Sequence, residues 1–172
     1  MNSKGYTLIE LTVVVVLIGI VLLLAIPAVR YSLLNDNLQI TINKLTSTAR
    51  MLRSDAVREQ VDYVLRFNLD ERTFWSYTAD MTPEKRGEKR QAAFVLPDGV
   101  KIVSISYPWE EKHIDGEISV TFYKSGVVQP AIIYLAQDER QATMILEPFL
   151  SRIRIYNQYV EYPGIKEPES KS

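Results

Sequence analysis

At 172 residues the chain has room for one compact domain plus an appendage, or at most two small domains. Its 20 basic and 21 acidic side chains leave a formal net charge of -1, which gives no support to a nucleic-acid binder driven by bulk electrostatics. It contains no cysteine, which excludes a disulfide framework, a thiolate metal site and a cysteine nucleophile.

The first element is apolar. From Leu11 to Val29 the sequence reads LTVVVVLIGIVLLLAIPAV, with Thr12 as its one polar residue. As a helix these residues rise about 28 Å, close to the hydrocarbon thickness of a bilayer. A cleaved signal peptide fits less well. The apolar run is too long, and the basic region before it is thin, with Lys4 and the amine alone. No small-x-small site follows in Ile26-Pro27-Ala28-Val29-Arg30. A buried core helix fits less well again, because so apolar a run is unusual in a small soluble domain. Glu10 stands at the edge of this run. A carboxylate there costs on the order of a few kcal/mol toward the bilayer centre and less near an end, so it calls for a named partner. Lys4 lies six residues earlier, on the wrong side of the helix for a local pair. The partner is therefore expected on another molecule.

Lys4-Gly5-Tyr6-Thr7-Leu8-Ile9-Glu10 resembles the leader junction of the type IV prepilin and pseudopilin family. The resemblance implies a prepilin peptidase that cuts after Gly5 and N-methylates Tyr6. Residues 1–5 would then be a leader, and 6–29 a transmembrane helix. The family more often has phenylalanine where this chain has Tyr6, which keeps the aromatic character. Glu10 becomes the fifth mature residue, where the family has its glutamate. Pro27 becomes the twenty-second, where the family often has a proline. On this resemblance Glu10 pairs with the Tyr6 amine of a neighbouring subunit, cancelling two charges that hydrocarbon penalises and fixing axial register. Pro27 removes one helical hydrogen bond and is expected to kink or locally melt the helix over residues 23–27. Lys4 and Arg30 flank the segment and do not orient it. The resemblance implies a single pass through the inner membrane, with the globular domain in the periplasm or outside the cell.

Residues 30–60 keep a helical period and become amphipathic. Leu34, Leu38, Ile42, Leu45, Ala49, Leu52 and Ala56 recur every three or four residues, with most charges off that stripe. The pattern predicts one helix running from Tyr6 to about Gln60, roughly 80 Å long and bent at Pro27, whose second half buries the stripe against a sheet. From Val61 the period becomes two. Residues 61–67 and 72–77 alternate around a turn at 68–71, the signature of a hairpin. Residues 80–91 are polar and read as a surface loop. Further strands are expected at 92–96, 100–107, 117–123, 131–136, 140–147 and 152–160. Turn signals stand at Pro97-Asp98-Gly99 and Ser125-Gly126. The β domain spans 61–162, and 163–172 reads as a flexible polar tail. The fold class is α+β, a pilin-like fold with a long N-terminal transmembrane helix packed on an antiparallel β domain.

Three stretches are similar to the minor pseudopilin H of type II secretion and the related FimT minor pilins: Leu52 to Arg58, Phe94 to Val100, and Phe122 to Gly126. This resemblance implies a structural subunit of a periplasmic pseudopilus, with other pseudopilins or pilins as partners. It also implies an inner-membrane assembly platform. An assembly ATPase would be another protein, since the chain has no P-loop. The alternative is a FimT-like minor pilin for DNA uptake or pilus priming, which needs a basic C-terminal surface. Arg140, Arg152 and Arg154 are its candidates, but Glu147, Glu161, Glu167 and Glu169 surround them, so nucleic acid is disfavoured as a partner. No enzymatic activity, cofactor or metal is expected. The single histidine, His113, sits in a charged loop, no GxSxG or HExxH occurs, and Asp80, Glu84 and Glu88 stand among mixed charges.

Overall fold

The computed structural model describes residues 8–34, 36–149 and 153–161, with the side chains of the first helix described through Val21. Two compact units result, Met1–Asp36 and Asn37–Ser172.

The first unit contributes α1 (Leu8–Leu34), about 40 Å of helix. It is continuous through Pro27. The second unit opens with α2 (Asn37–Glu59). The expectation of one helix from 6 to 60 is therefore corrected to two helices. The sequence Asn35-Asp36-Asn37 supplies the reason, because short polar side chains compete for backbone hydrogen bonds and favour helix ends. Contacts distant in sequence then fix the new start. The Leu38 N–H donates to Gln137 Oε1 at 2.9 Å, and Asn37 Nδ2 donates to the Asp98 carbonyl at 3.0 Å.

The stripe expected on α2 is the one that is buried. Leu38, Ile42, Leu45, Ala49, Leu52 and Ala56 all lie in the core, joined by Thr41 and Thr46. The Thr41 hydroxyl is satisfied within the helix by the Asn37 carbonyl at 2.8 Å. The helix ends where Gln60 adopts a left-handed φ of 57°. Beyond it the Tyr63 hydroxyl donates to Glu59 Oε2 at 2.5 Å. That bond, and then burial, push the Tyr63 phenol up to about 12 from an ordinary 10. A raised folded value means that the contribution is intact below about pH 10 and is lost as pH climbs from 10 to 12, when the phenolate meets the carboxylate. An alkaline titration of ultraviolet phenolate absorbance should show a step near pH 12, and Tyr63→Phe should remove that step.

The β strands form two antiparallel four-stranded sheets. The first contains β1 (Tyr63–Asn68), β2 (Thr73–Thr78), β3 (Phe94–Val95) and β5 (Glu117–Phe122), in the order β3-β2-β1-β5. The second contains β4 (Val100–Ser106), β6 (Ala131–Gln137), β7 (Arg140–Leu146) and β8 (Arg154–Tyr156), in the order β4-β6-β7-β8. The α2 stripe packs against strands of both sheets. The resulting core includes Leu45, Leu52, Phe67, Ile105, Val120, Ile133 and Leu135.

The β1–β2 hairpin forms as its alternation predicts. Asn68 Oδ1 accepts the Glu71 N–H at 2.8 Å, and Arg72 takes a left-handed φ of 55°. Its guanidinium then reaches the other sheet, donating to the Pro97 carbonyl at 2.9 Å and the Val100 carbonyl at 3.2 Å. Arg72 thus ties the first hairpin to the start of β4. Arg72→Ala leaves two part-buried carbonyls without this donor and should cost about 1–3 kcal/mol, read as a lower urea midpoint at unchanged slope.

β6 is buried on both faces. Ala131, Ile133 and Leu135 face the main core, while Ile132 and Tyr134 join Ile145 and Tyr156 in a second cluster. The chain after β8 lies on that second face. Tyr159 stacks on Tyr134 with ring centroids 4.9 Å apart. The Thr143 hydroxyl donates to the Gln158 carbonyl at 2.8 Å and accepts the Val160 N–H at 3.1 Å.

A second expectation changes. Residues 80–91, expected as a loop, contain α3 (Pro83–Gln91). Proline at the first turn, Glu84 early and Lys89 and Arg90 late are the charge order a helix favours. No residue of α3 is buried. The helix is held by side chains instead: Arg86 lies over the Tyr77 ring at 5.0 Å and Arg90 over the Trp75 ring at 5.6 Å. The strand expected over 152–160 is shorter than expected, Arg154–Tyr156.

Candidate functional site on the N-terminal helix

The residues singled out for processing and assembly all fall at the start of the chain. Gly5 and Tyr6 lie outside the described residues. Glu10 is in the first turn of α1, where a helix N-terminus favours negative charge. Pro27 is helical in its backbone, and its side chain lies outside the described set.

Around Glu10 the helix surface is hydrocarbon. Leu8 is 85% exposed and Ile9 73%, and Leu11, Val13, Val14, Val15, Val16, Leu17, Ile18, Ile20 and Val21 are all exposed as well. The Thr12 hydroxyl turns inward and donates to the Leu8 carbonyl at 2.7 Å, so it presents little polarity to the surroundings. Apolar side chains thus cover the whole circumference, a pattern that belongs in lipid or in a core rather than on one face of a surface helix. Among the described residues no helix is long and apolar enough to cross a membrane. The spanning of residues 6–29 therefore stays an expectation read from the sequence.

The other candidates are dispersed. His113 pairs by backbone with Ile105, and its Nε2 is 3.4 Å from Glu110 Oε2 on the surface. Among the described residues no three His, Asp or Glu side chains are grouped to hold a metal ion, and Glu84 and Glu88 are exposed on α3. Arg154 forms an ion pair with Glu147, which offsets its charge. Arg140 begins β7, and Arg152 lies outside the described residues.

Sequence reasoning missed one organised cluster. Lys112, from the β4–β5 connection, donates to the Tyr159 hydroxyl. Its ammonium lies 5.3 Å from the Tyr134 ring centroid and 5.1 Å from that of Tyr159. The hydrogen bond to Tyr159 raises the Lys112 pKa above its ordinary value, and burial is the leading cause of the raised Tyr134 phenol. The three residues stand at 112, 134 and 159, so no local pattern announces them.

Residues 1–26 match the family described as the prokaryotic N-terminal methylation motif. No curated protein matches the chain. Two solved structures of the minor pseudopilin EpsH from the type 2 secretion system of Vibrio cholerae are similar to it. The first is 14% identical with a TM-score of 0.48, covering 71% of this chain and 98% of that one. The second is 14% identical with a TM-score of 0.48, covering 69% of this chain and 99% of that one.

Proposed function

We propose that this chain is a minor pseudopilin: a structural subunit anchored in the inner membrane, with its β domain on the periplasmic or outer side. The observation that supports the reading is the match of residues 1–26 to the methylation motif; Glu10, the one carboxylate of α1, stands in the first turn of that exposed apolar helix. In this reading prepilin peptidase cuts after Gly5 and methylates the new Tyr6 amine. The helix 6–29 then waits in the bilayer. An inner-membrane platform, driven by an ATPase on another protein, moves the subunit into a filament of other pseudopilins. Within that filament Glu10 meets the Tyr6 ammonium of a neighbour, and each charge removes the penalty of the other.

The design needs no catalytic group. Its chemistry is one charge pair in hydrocarbon, which tolerates only one axial register, and the β domain supplies the surface that selects neighbours. The DNA-binding alternative is weakened by Glu147, which pairs with Arg154 on the surface where a phosphate would have to sit.

The deciding experiment is intact-mass and N-terminal peptide mass spectrometry of the protein taken from its native membrane. A chain beginning at N-methylated Tyr6 supports the reading. A chain that retains Met1 to Gly5, or is cut near Ala28, overturns it.

A further inference from the structure

A cleft of about 390 Å³ opens between the start of α2, the β6–β7 turn and the segment after β8. That is within the range of ligand-sized clefts, roughly 300–1,000 Å³. Its lining is unusual in kind. Gln39, Gln141, Asn157 and Gln158 bring four carboxamides, Glu139 and Arg140 bring one charge of each sign, and Tyr159 brings a ring.

The carboxamides set the chemistry. Each offers two donors and an acceptor without net charge. Among the described residues those of Gln141, Asn157 and Gln158 have no hydrogen-bond partner in the chain. The acid and the base cancel, so the cleft does not select phosphate. The two aliphatic side chains that reach it, Leu38 and Ile42, are only 3% and 1% exposed. They form a floor and leave no pocket for an apolar peptide side chain, which strand-like peptide recognition needs for specificity. Tyr159, 49% exposed, is the remaining apolar surface. It is a flat ring beside a ring of neutral donors and acceptors. The ligand that answers all of this is a neutral polyhydroxylated one, with hydroxyls for the carboxamides and a C–H face for the ring.

The walls are also fixed before any ligand arrives. The β6–β7 connection is a two-residue turn between the paired Gln137 and Arg140, with Asp138 at a φ of 52°. Gln137 caps α2 through the Leu38 N–H. Thr143 holds the backbone of Gln158 and Val160, and Tyr134 and Lys112 hold Tyr159. Such preorganisation lowers the ordering cost that weak polar ligands otherwise fail to meet. We infer that this cleft is an oligosaccharide-binding site. The inference stands apart from the filament reading, because every lining residue belongs to the second unit.

The test uses the full chain in micelles of a detergent without a sugar headgroup. Chitotetraose and maltotetraose are titrated, followed by calorimetry and by amide hydrogen exchange. Saturable binding of either, with protection over 38–42, 139–142 and 156–160, is expected. Gln141→Ala and Asn157→Ala should each weaken it by about threefold to tenfold, a scale set by loss of a ligand hydrogen bond. Both sites are exposed, and an unchanged thermal midpoint checks that the fold survives. Arg86→Ala on α3 should leave binding unchanged. Retention on chitin beads would identify a polymeric glycan as the source, and binding of free tetrasaccharide alone would identify a soluble one; either supports the site. No saturable binding of either tetrasaccharide overturns it. So does binding that survives the double variant Gln141→Ala/Asn157→Ala, or equal protection by tetra-alanine or a short oligonucleotide.

Discussion

Glu10→Ala is expected to abolish incorporation of this subunit into filaments while leaving its membrane insertion and its β domain intact. Among the described side chains of α1, through Val21, the surface around Glu10 is hydrocarbon apart from Thr12, and the proposed pair adds a strongly directional contact to it. Deleting one member of a buried ion pair strands the other, a penalty of about 3–5 kcal/mol. At about 1.4 kcal/mol per factor of ten, incorporation should fall by about a hundredfold to a few thousandfold. Glu10→Gln keeps the shape and loses the charge, so it should fail nearly as badly. A subunit that merely needs an apolar anchor would behave oppositely, because removing the charge eases insertion. The measurement is the amount of variant recovered in sheared filaments relative to the amount in the membrane. Wild-type recovery for both variants would refute the charge-pair mechanism.

The second large effect is on stability. Phe67→Ala should lower the unfolding free energy by about 3–5 kcal/mol, a large share of the roughly 5–15 kcal/mol typical of a domain. Phe67 is 0% exposed. It sits in the middle of the first sheet, registered with Phe74 on β2 and Ile118 on β5, and its ring centroid is 6.0 Å from that of Phe74. A core closed by one helix and two sheets cannot collapse into such a void, because its neighbours are held by strand ladders. Val103→Ala is the matched control. Val103 is exposed at the irregularity in β4, and a change there should stay within about 0.5 kcal/mol. Near-UV circular dichroism of both variants against urea separates the two cases. Equal midpoints would mean that Phe67 does not anchor the core.

The sequence by itself determined whatever depends on a local period or a local motif. The three-and-four spacing from Leu38 to Ala56 named the buried face of α2, since helical geometry leaves those side chains on one side. Alternation around Asn68 to Glu71 located the first hairpin, and glycine and proline turn signals placed most later strands within one or two residues. The run from Leu11 to Val29, with Glu10 at its head, marked the candidate site, because a charge beside hydrocarbon needs a partner wherever the chain folds.

Tertiary structure alone decided the features made by residues far apart in sequence. The break before Asn37 is held by Gln137 and Asp98. α3 looked like a solvated loop because its attachment is not a buried stripe but two arginines laid over Trp75 and Tyr77. The bridge from Arg72 to Pro97 and Val100, the clamp of Lys112 on Tyr134 and Tyr159, and the carboxamide-lined cleft leave no periodic trace. A period records which face of one element is buried. It carries nothing about which distant side chain completes a hydrogen bond, and that choice is made only when the sheets close over α2.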